Sequence, residues 1–336
     1  MKILFRTSGG RANKKELGLG HIYRCINLAS QLKGSHELHF LIEDYGGVKK
    51  ILNNYELQNV SLLKKNICMH LDIKQTIQYI KRKKIDIVII DKYKVKLTYF
   101  REVKKFAKLV FVSDLKNIEY PVNLLVNGFI GFENGIFTNK YGTKCLLGPS
   151  YQILNKSYEK RRNIRNKKYD LLATFGGFDK NNIIEFLLKI LSEYVEKIKI
   201  KIILGPVTHK SKETKALEKN YGKHLKIIQQ TYDMQKEISN VKFGICGGGI
   251  TTYEFASMKV PFAIICQYPH QLITAREWEH RGIATNLGKI NNKLQKNVKK
   301  FLDNIVLHNE IRYRFPQKCT VDGLGAKRVA REILKL

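Results

Sequence analysis

The sequence predicts an α/β protein built from two doubly wound domains. Three observations lead there. Short apolar runs recur along the chain, separated by segments of helical period. Those runs are continuous rather than alternating, and the same order of elements begins again in the second half. Continuous apolar runs are what parallel strands covered on both faces require, and strands separated by helices imply βαβ units with right-handed crossovers. With 336 residues, the chain has room for two such domains, each with its own core.

Taken in order, the first strand is Ile3–Phe5, followed by a loop at Ser8-Gly9-Gly10. A helix over Ile22–Leu32 comes next, because Ile22, Cys25, Ile26, Ala29 and Leu32 fall on one helical face. Strands follow at Leu38–Ile42, Ile85–Ile90, Leu109–Val112 and Leu124–Val126, with a helix at Leu71–Ile80. In the second half, strands are predicted at Leu171–Thr174, Ile198–Leu204, Leu225–Ile228, Phe243–Cys246 and Phe262–Ile265. The helices between and after them cover Ile183–Tyr194, Glu213–Tyr221, Met234–Ile238, Thr252–Ser257 and Leu272–His280. The boundaries become 1–155 for the first domain, 156–168 for a basic, solvated linker, and 169–336 for the second. The last helix, 325–336, is assigned to the second domain, although its pattern suits either. Two such domains would face a central cleft lined by the carboxyl ends of both sheets.

Composition sets limits. The formal charge is +32, from 61 Lys and Arg against 29 Asp and Glu. It is spread along the chain rather than clustered, so nucleic acid is not expected as a partner. No apolar run reaches the length of about 18 residues that a membrane span needs, and no cleavable leader precedes the first strand. Six cysteines (Cys25, Cys68, Cys145, Cys246, Cys266 and Cys319) lie mostly in apolar segments without Cys-x-x-Cys pairing. They read as buried free thiols of a cytoplasmic protein, with no metal site.

Three glycine-rich turns carry the chemistry. Gly18-Leu19-Gly20-His21-Ile22-Tyr23-Arg24 lies between a strand and a helix, where free N–H groups and the helix dipole favour an anion. A histidine there could take a proton from a water beside a phosphate ester; it could equally serve as a surface or capping residue. The dinucleotide fingerprint Gly-x-Gly-x-x-Gly fails, because its third glycine position holds Tyr23, and no nicotinamide or flavin is expected. In the second half, Thr174-Phe175-Gly176-Gly177-Phe178-Asp179 follows a strand, and Gly247-Gly248-Gly249-Ile250-Thr251-Thr252-Tyr253-Glu254 follows another. The latter reads as a phosphate cradle, with Glu254 one turn into the helix and placed to accept from a ribose diol. The other reading is an ordinary tight turn with an acid at a helix start.

Together these residues resemble the GT-B superfamily of nucleotide-sugar enzymes. Within it they resemble the PseG/SpsG group of UDP-sugar hydrolases and surface-polysaccharide proteins. The resemblance extends to Asp91-Lys92-Tyr93, Ser113-Asp114-Leu115, Val126-Asn127-Gly128 and Gly148-Pro149-Ser150-Tyr151, and so spans nearly the whole chain. It implies that His21 is the general base on the water attacking the anomeric carbon, releasing UDP and a free amino sugar. It implies that Gly20, Gly176, Gly248, Gly249, Ile250, Thr251 and Glu254 hold the nucleotide, and that Arg24, Tyr93, His270 and Gln271 lie at the sugar. The chain departs from the group's pattern at His270-Gln271, where an Asn-Gln pair is usual, and at Ser113-Asp114, where two aspartates are usual. The implied substrate is a UDP-linked diacetamido sugar, without cofactor, metal or stable membrane insertion. Two alternatives share this sequence: a glycosyltransferase passing the sugar to a lipid or polysaccharide acceptor, and a binding module without catalysis. UDP as a good leaving group asks for charge stabilisation more than for an acid. The paired carboxylates of a retaining glycosidase cannot be assigned beside the glycine turns.

Overall fold

A computed structural model describes residues 1–308 and 321–336, apart from positions 13–14, 35, 47, 54, 56, 94, 178, 180–181, 206–207 and 209; the side chains of 11–18, 49–51 and 308 are likewise outside the description. Cys319, expected among the buried thiols, lies outside the described residues. The chain divides into two compact units, Met1–Lys156 with Gly323–Leu336, and Ser157–Asp322.

The first unit runs β1 (Lys2–Ala12), β2 (Lys15–Gly18), α1 (Gly20–Leu32), β3 (Glu37–Asp44), α2 (Val48–Asn53), β4 (Val60–Leu63) and α3 (Met69–Lys83). It continues with β5 (Ile87–Asp91), α4 (Leu97–Val103), β6 (Lys108–Val112), β7 (Leu124–Asn127), β8 (Gly135–Thr138) and β9 (Lys144–Leu147). The sheet order is β4-β3-β1-β5-β6-β7-β9-β8. All neighbours are parallel except the antiparallel pair β8–β9. The loop expected at Ser8-Gly9-Gly10 is instead the continuation of β1, whose pairing with β3 persists to Gly9 opposite Asp44. β1 then folds back against β2, with a shift of register at Gly10/Arg11. Gly10 makes this possible. Its φ is +108°, and a Cβ there would lie 2.4 Å from the Gly46 carbonyl oxygen.

The second unit runs β10 (Tyr169–Thr174), α5 (Ile183–Leu191), β11 (Ile200–Ile203), α6 (Lys212–Asn220), β12 (Leu225–Ile228) and α7 (Met234–Ser239). It continues with β13 (Val241–Gly247), α8 (Thr251–Ser257), β14 (Phe262–Cys266), α9 (Gln271–His280), β15 (Ala284–Lys289) and α10 (Leu294–His308). Its sheet, β12-β11-β10-β13-β14-β15, is parallel throughout. The central strands β13 and β14 bury both faces, as their continuous apolar runs require: Ile245, Ala263, Ile264 and Ile265 are fully enclosed. Each unit is thus a doubly wound, Rossmann-like α/β domain, as the sequence predicts.

The final helix, α11 (Gly325–Ile333), corrects the expected boundary. It belongs to the first unit and not to the span 169–336. Ala326, Val329, Ala330 and Ile333 enter the same core as Ile22, Cys25, Ile26 and Ala29 of α1. Burial of Val329 and Ile333 contributes about 1.5–3 kcal/mol each. Gly325 has the carbonyl of Gln152 where a Cβ would stand, at 2.1 Å, so the helix starts in direct backbone contact with the first unit. The basic segment after residue 156 is not simply solvated either. Tyr158 is 3% exposed, and Gln235 donates to the carbonyls of Ser157 (2.6 Å) and Lys160 (2.7 Å).

Candidate active site

In the first unit the strand order reverses at β1, which lies between β3 and β5. Doubly wound sheets open a crevice beyond the carboxyl ends of the strands at such a point. The chain leaving β1 passes through β2 into α1 and presents His21 and Arg24; β5 ends on Asp91. His21 Nδ1 lies 2.6 Å from Asp91 Oδ1. Arg24 grips the same carboxylate with both arms, Nε to Oδ2 and Nη2 to Oδ1, each at 2.7 Å, and reaches Asp114 with Nη1. The Thr7 hydroxyl holds the Asp91 carbonyl at 2.9 Å. Burial opposes ionisation of Asp91, but Arg24 first and His21 second outweigh it and hold the carboxyl at about 2. The carboxylate is therefore a permanent anion that fixes the imidazole. The other contact of Nδ1, to Arg24 Nη2, is longer at 3.3 Å. Nδ1 thus carries the proton towards Asp91, and Nε2 is the nitrogen free to accept one. The His21 side chain is 19% exposed, so the ring is reachable from solvent.

A second buried ionic cluster adjoins this one, and nothing in the local sequence announces it. Arg6, fully enclosed, makes two 2.8 Å bonds to Asp72 at the start of α3. Lys92 joins Asp72 (2.6 Å) to Glu43 (2.9 Å), and Tyr45 donates to Glu43 at 2.7 Å. Burial works against the Asp72 carboxylate, yet Arg6 and then Lys92 hold it below its ordinary value. Because Lys92 follows Asp91 in the chain, this cluster pins the end of β5. Tyr93 is next and is 49% exposed.

The second unit reverses its strand order at β10, beside β13. The loops after those two strands are the two glycine-rich segments. Gly176 has φ +73° and open space where a Cβ would be. The loop it begins is tied to the loop after β14 by Gln267, whose amide donates to the Phe175 carbonyl at 3.0 Å. Asp179 is not free for a ligand: its two oxygens accept from the N–H groups of Ile183 and Ile184, both at 2.8 Å, and so cap α5. After β13, Gly248 and Gly249 lead into α8 with Ile250 as the capping position. The two glycines differ. A Cβ on Gly248 would stand 2.8 Å from the Cβ of Gln271, whereas Gly249 faces open space. Thr252 donates to the Gly249 carbonyl at 2.8 Å and accepts from the Trp278 indole at 3.1 Å. The loop is therefore anchored into the core.

Glu254 keeps some exposed surface but is surrounded by protein. Burial pushes its carboxyl up to about 7, against the opposing pull of the Tyr158 and Thr251 hydroxyls. Of the expected sugar residues in this unit, Gln271 turns its side-chain oxygen back to the Gln267 N–H at 2.7 Å and closes its own loop. His270 is exposed and stacks on Tyr268, with centroids 5.5 Å apart. Thus the structure brings His21, Arg24 and Asp91 together in the first unit; in the second it places Gly176 after β10, Gly248, Gly249, Ile250, Thr251 and Glu254 after β13, and His270 and Gln271 after β14, with Gln271 packed against Gly248. Among the described residues there is no cluster of His, Cys, Asp and Glu suited to a metal, and no helix long and apolar enough to cross a membrane. Cys25, Cys145, Cys246 and Cys266 are buried and unbridged, while Cys68, expected in the interior, is exposed.

Comparison with known proteins agrees with this architecture. No family model matches the chain. The chain is homologous to the spore coat polysaccharide biosynthesis protein SpsG of Bacillus subtilis, with 27% identity over 81% of this chain and 80% of that one. It is also homologous to the UDP-2,4-diacetamido-2,4,6-trideoxy-beta-L-altropyranose hydrolase of Campylobacter jejuni, with 25% identity over 82% and 95%. Among solved structures, Acinetobacter baumannii MurG superposes over 100% of both chains with a TM-score of 0.66 at 14% identity. The UDP-GlcNAc 2-epimerase of Neisseria meningitidis bound to UDP-GlcNAc does so with 0.58 at 12%.

Proposed function

We propose that the chain is an enzyme acting on a UDP-linked amino sugar, and that it hydrolyses this substrate to UDP and the free sugar for the building of surface polysaccharide or a related nonulosonic acid. The observation that carries the reading is the His21–Asp91–Arg24 arrangement. An ionised, doubly clamped carboxylate holds Nδ1, leaving Nε2 as a base. In this reading Nε2 takes a proton from water as its oxygen attacks the anomeric carbon. The bond from that carbon to the diphosphate oxygen breaks, and UDP leaves with the electron pair. Arg24 holds Asp91 in place, and Gly20 leaves the approach to His21 unobstructed. Tyr93 and His270 lie at the sugar, with Gln271 supporting the loop.

In the second unit, the N–H groups at Gly248, Gly249, Ile250 and Thr251 take the diphosphate, Gly176 leaves room beside it, and Glu254 accepts from the ribose hydroxyls. The homology to a UDP-diacetamido-sugar hydrolase over most of both chains supports this reading. The test is UDP release from UDP-linked 2,4-diacetamido sugars without any acceptor, in wild type and His21→Ala. Release that falls by about 10²–10⁴-fold in the variant is the expected result. UDP binding without acceptor-free release would replace the hydrolase by a glycosyltransferase.

A further inference from the structure

At the carboxyl ends of its strands the first unit carries two polar clusters, one on each face of the sheet. Strand alternation sorts them. Ile3, Phe5, Ile87 and Ile89 pack with α1, whereas Leu4, Leu41, Val88 and Ile90 pack with α3. Continuing each strand puts Asp91 on the α1 face, where His21 and Arg24 meet it, and Arg6, Glu43 and Lys92 on the α3 face. There Asp72, in the first turn of α3, takes Arg6 through two 2.8 Å bonds and Lys92 at 2.6 Å, and Lys92 reaches Glu43 at 2.9 Å. The hydroxyls of Thr76 and Tyr99, 2.8 Å apart, each lie 3.3 Å from one Asp72 oxygen and tie α3 to α4. Arg6, Glu43 and Asp72 are buried, and the Lys92 side chain is 14% exposed. Two cations and two carboxylates held in this way carry a desolvation cost that packed apolar side chains would avoid. The reaction above uses none of the four, so the geometry they impose is what they add.

The peptide between Asp91 and Lys92 joins the two clusters. Sheet pairing of β5 ends at Asp91 opposite Thr7 on one side and at Ile90 opposite Phe111 on the other, so Lys92 is the first residue beyond the ladder. Arg24 grips the Asp91 carboxylate but not the backbone that carries it. That backbone is held by the Thr7 hydroxyl, 2.9 Å from the Asp91 carbonyl, and by the side chain of the next residue. We propose that Lys92 is a positioning residue for the base: clamped by Asp72 and Glu43 on the opposite face of the sheet, its ammonium fixes the 91–92 peptide and so keeps the Asp91 carboxylate against His21. This rests on the reading of His21 as the base. Without the clamp, the chain beyond the ladder is free to rotate, and the carboxylate moves with it. A displacement of about 1 Å at the reacting groups is enough to cost about a hundredfold in rate.

The test uses the double variant K92M/E43Q. Removing one cation and one carboxylate together leaves Arg6 paired with Asp72, so no buried charge is orphaned. In acceptor-free UDP release, kcat should fall about tenfold to a hundredfold while KM stays within about a factor of two of wild type. The second readout needs no substrate. The His21 Nδ1–H, 2.6 Å from Asp91, is followed by NMR as the downfield proton resonance that H21Q removes, and it should move upfield or broaden in the double variant. A purely structural role would lower the melting temperature and leave both readouts in place. A folded double variant with the wild-type kcat and resonance overturns the proposal. So does a raised KM at unchanged kcat, which would mean that Lys92 serves sugar binding through Tyr93. Wild type that releases no UDP overturns the hydrolase reading instead; the resonance then decides the proposal by itself, and an unmoved one overturns it. If the double variant does not fold, E43Q decides. It withdraws one of the two carboxylates from Lys92 and should show both changes at smaller size, and E43Q identical to wild type in both overturns the proposal.

Discussion

Replacing Glu254 with glutamine should stabilise the second unit at pH 8 but not at pH 5. The ordinary glutamate value of 4.5 describes the unfolded chain, and burial raises the folded value to about 7. Between those values the folded state binds more protons than the unfolded one, so this group makes stability fall as pH rises. Its cost is absent below about pH 4.5 and complete above about pH 7. A rise of this size corresponds to a ceiling of about 3 kcal/mol. Because the side chain keeps some exposed surface, about 1.5–3 kcal/mol is the expected range. Glutamine stays neutral throughout and escapes the cost. The assay is equilibrium urea unfolding followed by tryptophan fluorescence, since the chain has a single tryptophan. That residue, Trp278, is fully buried in the second unit, with its indole bonded to Thr252 of α8. The stability of E254Q minus that of wild type should grow by about 1.5–3 kcal/mol between pH 5 and pH 8. A difference that stays constant to within about 0.5 kcal/mol would refute the idea that the helix holds Glu254 as a reluctant anion.

Other substitutions separate the two units. Asp91→Asn leaves Arg24 without its main buried counter-charge and should cost about 3–5 kcal/mol. It should also abolish acceptor-free UDP release, as seen by a coupled UDP assay alongside thermal unfolding. The share of stability that wild type owes to the lowered Asp91 value, about 2 kcal/mol, is present above pH 4 and disappears as pH falls through about 2. Gly248→Ala forces apart the loop and Gln271, where a Cβ has only 2.8 Å, and should destabilise the second unit by about 1–3 kcal/mol. Gly249→Ala has open space and should leave urea midpoints unchanged while weakening UDP binding, measured by calorimetry. Ile333→Ala should cost about 2–4 kcal/mol in the first unit. Hydrogen exchange should report this loss in α1 while the Trp278 transition stays in place.

Much of the architecture was legible in the residue pattern because buried parallel strands must be apolar on both faces. The cores of β1, β3, β5, β6, β7, β10, β13 and β14 follow from that rule, whereas β12 was found at Leu225–Ile228 although Lys226 interrupts its apolar run and is exposed. Strands that escape it were not legible. β15 contains Thr285, Asn286 and Gly288 at a sheet edge, and β8 exposes Ile136 and Phe137, so neither shows a continuous apolar run. The short α2 and α4 fall below the length at which helical period becomes distinct. β2 depends on the turn of β1 at Gly10, which only the close approach of Gly46 explains.

The sequence by itself determined that three glycine-rich turns follow strands and precede helices, with His21 in one and Glu254 in another, since turn chemistry and hydrophobic period are local properties. The tertiary structure decided everything that depends on distant residues meeting. Parallel pairing of β1 with β5 sets Asp91 beside His21, 70 positions earlier in the chain. Packing of α11 on α1 assigns the C-terminus to the first unit. Burial in the folded second unit raises the Glu254 carboxyl to about 7. Pairing and burial are properties of the assembled chain, and the protonation of a carboxyl follows the dielectric and the partners around it rather than its neighbours in sequence.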